Sequence, residues 1–189
     1  MTTQIAILGW GSLLWDSRPN FDENHGPWQL AGPNLKVEFS RISESRSGAL
    51  TLVVDSDNGS PCRVAYAISK RREPEDAICD LRSREGTVRK NIGIYYSDGT
   101  QGQSKNPATL AAVIPWAEKL GLDVVVWTDL ATNFKEQTKL EFSVQNAIAH
   151  LQTLDAKAKV SAVEYVWRAP EFITTPLRAT LEVQPWFKH

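Results

Sequence analysis

At 189 residues, with 21 basic and 22 acidic side chains and a net charge of −1, the chain has the length for one domain that buries its own core. It carries no charge footprint for nucleic acid or an anionic membrane. Met1-Thr2-Thr3-Gln4 has no basic leader character, and no apolar run approaches the roughly 18 residues of a spanning helix, so a cytoplasmic protein is expected. Cys62 and Cys79 form no Cys-x-x-Cys pair and read as buried thiols, while His25, His150 and His189 show no ligand spacing, so a metal enzyme, or one built on a Ser-His or Cys-His pair, is not expected.

The first element is an apolar β-type run, Ile5 to Leu8, which stops in Gly9-Trp10-Gly11-Ser12-Leu13-Leu14-Trp15. Asp16 to Pro27 is rich in turn formers and too broken for a helix. Trp28 to Leu30 and Leu35 to Ile42 follow, the latter alternating as a half-buried strand does. Ala49 to Val54, ended by Asp55-Ser56-Asp57-Asn58-Gly59, and Cys62 to Ile68 read together as a β-hairpin with a long turn. Pro74 and the acids Glu75 and Asp76 open a helix with Ala77, Ile78, Leu81 and Cys79 on its apolar side, ended at Gly86.

Asn91 to Tyr96 is a strand, and 102–106 is a polar loop. Asn106-Pro107 begins a helix that ends at Leu120-Gly121, with Pro115 expected to kink or split it. Leu122 to Trp127 is the last strand. From Lys139 the pattern turns helical, with Leu140, Val144, Ile148 and Leu151 along one stripe through Leu154, and helices at 161–168 and 176–183 follow. Strands in the first two thirds and helices in the last, without regular alternation, predict a single α+β domain, 1–189, with a helical part from about 138: a curved sheet or small barrel with flanking helices.

Glycines at alternate positions after a strand allow φ > 0 and a concave nest of N–H groups for a carboxylate or phosphate. A dinucleotide fingerprint is excluded by Leu14 at the third glycine position, by Pro19 where the helix should run, and by Asp22 and Glu23 lying in a loop. Ser12 lacks the Gly-x-Ser-x-Gly frame of a nucleophile elbow.

The seven residues from Gly9 to Trp15 resemble the aromatic-Gly-Ser loop of the γ-glutamylcyclotransferase superfamily, particularly its ChaC-like branch. Asp80-Leu81-Arg82-Ser83-Arg84-Glu85-Gly86 is similar to that family's Leu-Asp-x-Arg-Glu segment, and the strands of 48–68 resemble the pair leading into it; the similarity spans residues 5–97. The resemblance implies a small mixed β-barrel with flanking helices. It also implies an enzyme that releases 5-oxoproline from a small γ-glutamyl compound by intramolecular aminolysis. Glu85 would be the general acid/base, and Trp10, Gly11, Ser12, Leu13, Leu14 and Trp15 would bind substrate.

Such a reaction draws its nucleophile from the substrate and needs no catalytic Ser or Cys, metal or cofactor. Glu85 is then expected to have its carboxyl raised by partial burial and tempered by Arg82 or Arg84; the alternative is a solvated residue ending a helix. Two departures bear on substrate: Trp10 replaces the family tyrosine and its phenol oxygen, and Gly86-Thr87-Val88-Arg89 replaces the usual Gly-Gly-Tyr. The substrate is therefore left open; a further alternative is a γ-glutamylamine cyclotransferase or acyl-processing enzyme of a biosynthetic pathway, which differs in leaving group rather than mechanism. Arg41, Ser43, Glu44 and Arg46 either line a pocket mouth or form a solvated loop. The alternative from another class is a non-catalytic member that binds a small carboxylate ligand or a protein partner.

Overall fold

Ile5–Gly9 (β1) is buried at all five positions because the strand is paired on both edges and covered on both faces. In the computed structural model, which describes residues 3–188, β1 pairs antiparallel with Ala65–Ile68 (β5) and parallel with Val124–Thr128 (β7), and β7 pairs antiparallel with Ile92–Tyr96 (β6). The order is β5-β1-β7-β6. A second sheet, β3-β2-β4, is built from Asn34–Ser43 (β2), Ala49–Val54 (β3) and Ser60–Arg63 (β4).

Seven α-helices complete the described residues: Pro19–Asp22 (α1), Pro74–Arg84 (α2), Pro107–Leu120 (α3), Phe134–Thr138 (α4), Val144–Thr153 (α5), Ala156–Arg168 (α6) and Pro176–Glu182 (α7). The fold is α+β. Among the described residues the strand pairings form two open sheets and close no barrel, and no helix is long and apolar enough to cross a membrane. The chain divides into two compact units, Met1–Leu35 with Arg63–Leu130, and Lys36–Cys62 with Ala131–His189.

In the first unit, Ala77, Ile78 and Leu81 of α2 join Ile5, Ile7, Ile92, Ile94, Val124 and Val126 in one apolar cluster. Side chains of opposite parity face away from α2. There Tyr66, paired with Leu8, packs edge-on against Trp116 of α3 at 5.1 Å, and the Trp116 indole donates to the Ala31 carbonyl. Pro115 does not split α3, which runs unbroken from its Asn106 cap to Gly121. The broken stretch after the glycine loop does contain one helical turn, α1, started by Pro19 at a first-turn position.

Cys62 is buried, but Cys79 is exposed, one position off the Ala77-Ile78-Leu81 stripe. This corrects the reading of both cysteines as buried thiols.

The hairpin expected between 49–54 and 62–68 does not form. β3 instead pairs with β2, joined through Ser47 and Gly48, both at positive φ. Gly59 explains the change. Its N–H bonds the Asp55 carbonyl, and a Cβ there would lie 2.8 Å from the Lys36 carbonyl carbon and the Val37 nitrogen. The turn thus crosses the β2 backbone and delivers β4 to the far edge. The run 62–68 is divided between β4 and β5, which lie in different sheets. Of Trp28 to Leu30, only Gln29 makes a bridge, to Tyr66.

In the second unit, β2 is buried on both faces at its centre. Glu38 is fully buried and accepts the N–H of Phe39 at 2.7 Å and of Leu177 at 3.3 Å. Desolvation raises its carboxyl above the ordinary 4.5, although the Thr175 hydroxyl and the two N–H groups oppose the shift. A raised native value gives stability that is complete below 4.5 and is lost as pH rises through the shifted value. Urea midpoints of the native chain should therefore fall more steeply as pH rises above 4.5 than those of Glu38→Gln. Parallel pH profiles for the two proteins would contradict this.

The helical stripe predicted from Lys139 starts later. Residues 139–143 are non-helical, Lys139 is at φ 65° and Leu140 is 51% exposed. The cause is Ser143, whose Oγ accepts the Asn146 N–H and caps α5. Ser143→Ala should cost about 1 kcal/mol, read as a lower denaturant midpoint at unchanged slope; an unmoved midpoint would remove this role.

Candidate functional site

At the end of β1 the Trp28 ring lies so close that a Cβ on Gly9 would sit 2.5 Å from it. Trp10 continues extended (φ −153°, ψ 167°) and is 5% exposed. Gly11 then takes φ +56°, in the region open to glycine, and starts a 3-10 turn, Gly11–Leu14. The two glycines of the motif thus have different causes: Gly9 is required by close approach and Gly11 by backbone conformation. The leading N–H groups of the turn have no partner within it, and the Trp10 side chain does not cap them. Leu13 anchors the turn in the α2 cluster, leaving Ser12, Leu14 and Trp15 partly exposed.

α2 brings the acid. Arg84 and Glu85 follow Leu81 by three and four positions, so they continue the helix's buried stripe toward the sheet; Arg82 points out and is exposed. The Arg84 side chain is 5% exposed and that of Glu85 18%. Arg84 Nη2 donates to the Ser12 carbonyl at 3.1 Å and the Asp16 carbonyl at 2.9 Å. The same guanidinium lies 3.6 Å from the carboxylates of both Asp16 and Glu85. Arg18, 60% exposed, pairs with Asp16 at 3.1 Å. The result is an alternating series, Arg18, Asp16, Arg84, Glu85, in which Arg84 and Glu85 are the more shielded and the Arg18–Asp16 end is the more open to screening.

The location fits a general rule. In open α/β sheets, ligands bind beyond the carboxyl ends of the parallel strands, and the parallel pair of this mixed sheet offers the analogous position. β1 and β7 are the parallel pair, and Trp10 to Asp16 leave β1 at that end. At the corresponding end of β7, Thr128 keeps the parity of Val124 and Val126 and pairs opposite Ile92. Its hydroxyl is buried without a hydrogen-bond partner among the described residues. Asp129, 4% exposed, accepts the Lys105 N–H, and the Lys105 ammonium bonds Asn91. Thr128, Asp129, Asn91 and Lys105 carry no motif, and the sheet's strand order alone identifies them.

The loop of residues 10–15 and Glu85 are therefore joined through Arg84. The charged loop of 41–46 belongs to the other unit: Arg41 donates to the Ala131 carbonyl, and Arg46 lies over the Tyr165 ring at 4.8 Å. That unit also has a cleft of about 490 Å³, lined in part by Trp167, Glu171, Arg178 and Glu182. Its Arg178 guanidinium is held by the carbonyls of Ala169, Pro170 and Ile173. Its lining acids, Glu171 and Glu182, are exposed. Among the described residues, no group of His, Cys, Asp and Glu is placed to hold a metal ion. Comparisons with family models, curated proteins and solved structures returned no match.

Proposed function

We propose that the chain is a γ-glutamylcyclotransferase-like enzyme of the cytoplasm that converts a small γ-glutamyl compound to 5-oxoproline and a free amine, without a cofactor. The observation that carries this reading is the Arg84 bridge, which ties the carbonyls of Ser12 and Asp16 to the helix end bearing Glu85. The substrate α-carboxylate would lie on the N–H groups of the 11–14 turn. Glu85 would take a proton from the α-ammonium; the freed amine attacks the γ-carbonyl, forming the ring C–N bond. Glu85 then returns the proton to the leaving nitrogen as the γ-amide bond breaks, and the attacking nitrogen's second surplus proton passes to the released amine, which departs as an ammonium ion. Electrons and protons balance without an outside reagent. The mixed sheet around β1 and β7 is compatible with the family's barrel, which belongs to the proposal.

One observation favours a non-catalytic binder of the same fold: Trp10 is buried and brings no phenol oxygen. The deciding experiment is 5-oxoproline release from a panel of γ-glutamyl peptides and γ-glutamyl amines, with native protein and Glu85→Gln side by side. Turnover lost in the variant supports the enzyme and identifies its leaving group. No turnover across the panel favours the binder.

A further inference from the structure

We infer that Arg84, held between Asp16 and Glu85, is the positioning residue that fixes the Glu85 carboxylate against the glycine loop and sets its affinity for a proton. This rests on the reading of Glu85 as the acid/base, but its test does not depend on turnover.

Three observations carry it. First, the guanidinium is almost fully buried, yet its hydrogen bonds go to two main-chain carbonyls of one loop. The positive charge is therefore left for the two carboxylates, each at 3.6 Å, beyond ordinary hydrogen-bond length. Second, Arg84 Nε is buried with no partner among the described residues. An arginine retained only to fasten a loop would be expected to have its donors satisfied. Third, the environment is asymmetric. Asp16 is shared between Arg84 and Arg18, and Arg82 on the same helix points to solvent. Arg71 and Arg89 are committed to Asp80 and Glu75. Arg84 lies 3.6 Å from Glu85 and equally far from Asp16, so the two acids compete for one guanidinium.

Opposite effects follow from the two sides of one guanidinium. Removing the cation should make Glu85 hold its proton to higher pH, while removing the competing acid should release that proton at lower pH. A purely structural clamp would give no such pair of opposite shifts.

The test is a carbon-13 NMR titration of the Glu85 carboxyl in glutamate-labelled protein, the resonance assigned by its loss in Glu85→Gln. Arg84→Gln should move the midpoint up by about one pH unit, Asp16→Asn should move it down by a smaller amount, and Arg84→Lys should return it toward the native position. On the best substrate of the panel, Arg84→Gln should lower kcat at least about tenfold with KM changed less than about threefold. Arg84→Lys should recover only part of that rate, because an ammonium cannot reproduce the fork across two carbonyls.

Unmoved midpoints, or shifts of the same sign in Arg84→Gln and Asp16→Asn, would overturn the inference. If Arg84→Gln does not fold, Asp16→Asn and Arg84→Lys carry the decision. If the native chain releases no 5-oxoproline while the midpoints move as stated, the functional reading fails and Arg84's control of Glu85 stands.

Discussion

Glu85→Gln should reduce 5-oxoproline release by about 10²–10⁴-fold, the range contributed by a positioned acid/base, while the protein stays folded. Glutamine matches glutamate in shape, and the backbone N–H of residue 85, which bonds the Leu81 carbonyl, is untouched. What is lost is the ability to take and return a proton. The contact with Arg84 at 3.6 Å is also lost, but Asp16 stays 3.6 Å from the same guanidinium, so the buried cation is not left without an opposite charge. Release assayed by chromatography, paired with a thermal melt, checks both halves. Equal rates in the two proteins would remove Glu85 from the chemistry; a collapsed melt would show that the residue is structural.

The largest stability effect is expected at Gly93. It pairs with Trp127 across β6 and β7, and an added Cβ would lie 2.0 Å from Trp127 Cε2 and 2.2 Å from its Nε1. The indole is fully buried, so it cannot swing into solvent. Gly93→Ala should therefore cost about 3 kcal/mol, the upper part of the range for overpacked cores, and lower the melting temperature by several degrees. Trp127→Phe offers the compensating change: it removes atoms from the clash, and the Trp127 Nε1 it deletes is buried with no partner among the described residues. The double variant should then be more stable than the sum of the two single losses implies, by about 1 kcal/mol or more. Strict additivity in denaturant unfolding would show that strand and ring relax independently.

Much of the first unit was legible in the sequence. Residues 74–84 carry their own start and stop signals and an apolar stripe of helical period, and α2 runs over that range. The uninterrupted apolar residues of β1 and β7 announce strands buried on both faces. The same stripe also held a signal about the site. Counting three and four positions on from Leu81 reaches Arg84 and Glu85, which turns both inward, whereas weighing Glu85 only as the last turn of a helix leaves it in solvent. The arginine left open between 82 and 84 is decided by that helical phase.

The second unit was less legible, for reasons that lie outside local pattern. The hairpin between 49–54 and 62–68 is plausible as an alternation of residues, but which strand lies beside which depends on the turn at 55–59 crossing β2. That crossing is possible because a side chain is missing at Gly59. Glu38 and Ser40 stand at the polar positions of the β2 alternation, which a half-buried strand would turn to solvent, yet both are fully buried. Both are buried because partners arrive from far along the chain: Leu177 for Glu38, and Asp55 for Ser40.

By itself the sequence determined the elements of helical and strand period, the α+β class, and the loop whose glycine at 11 bends a strand into a turn. These depend on backbone preference and on side-chain spacing within a few residues. The tertiary structure alone decided that β1 and β7 run parallel, so that Thr128, Asp129, Asn91 and Lys105 gather at one end of the sheet. It alone decided that the Arg84 guanidinium spans the loop carbonyls and two carboxylates. Such arrangements are set by strand order and by burial that distant segments supply, which no local window of residues contains.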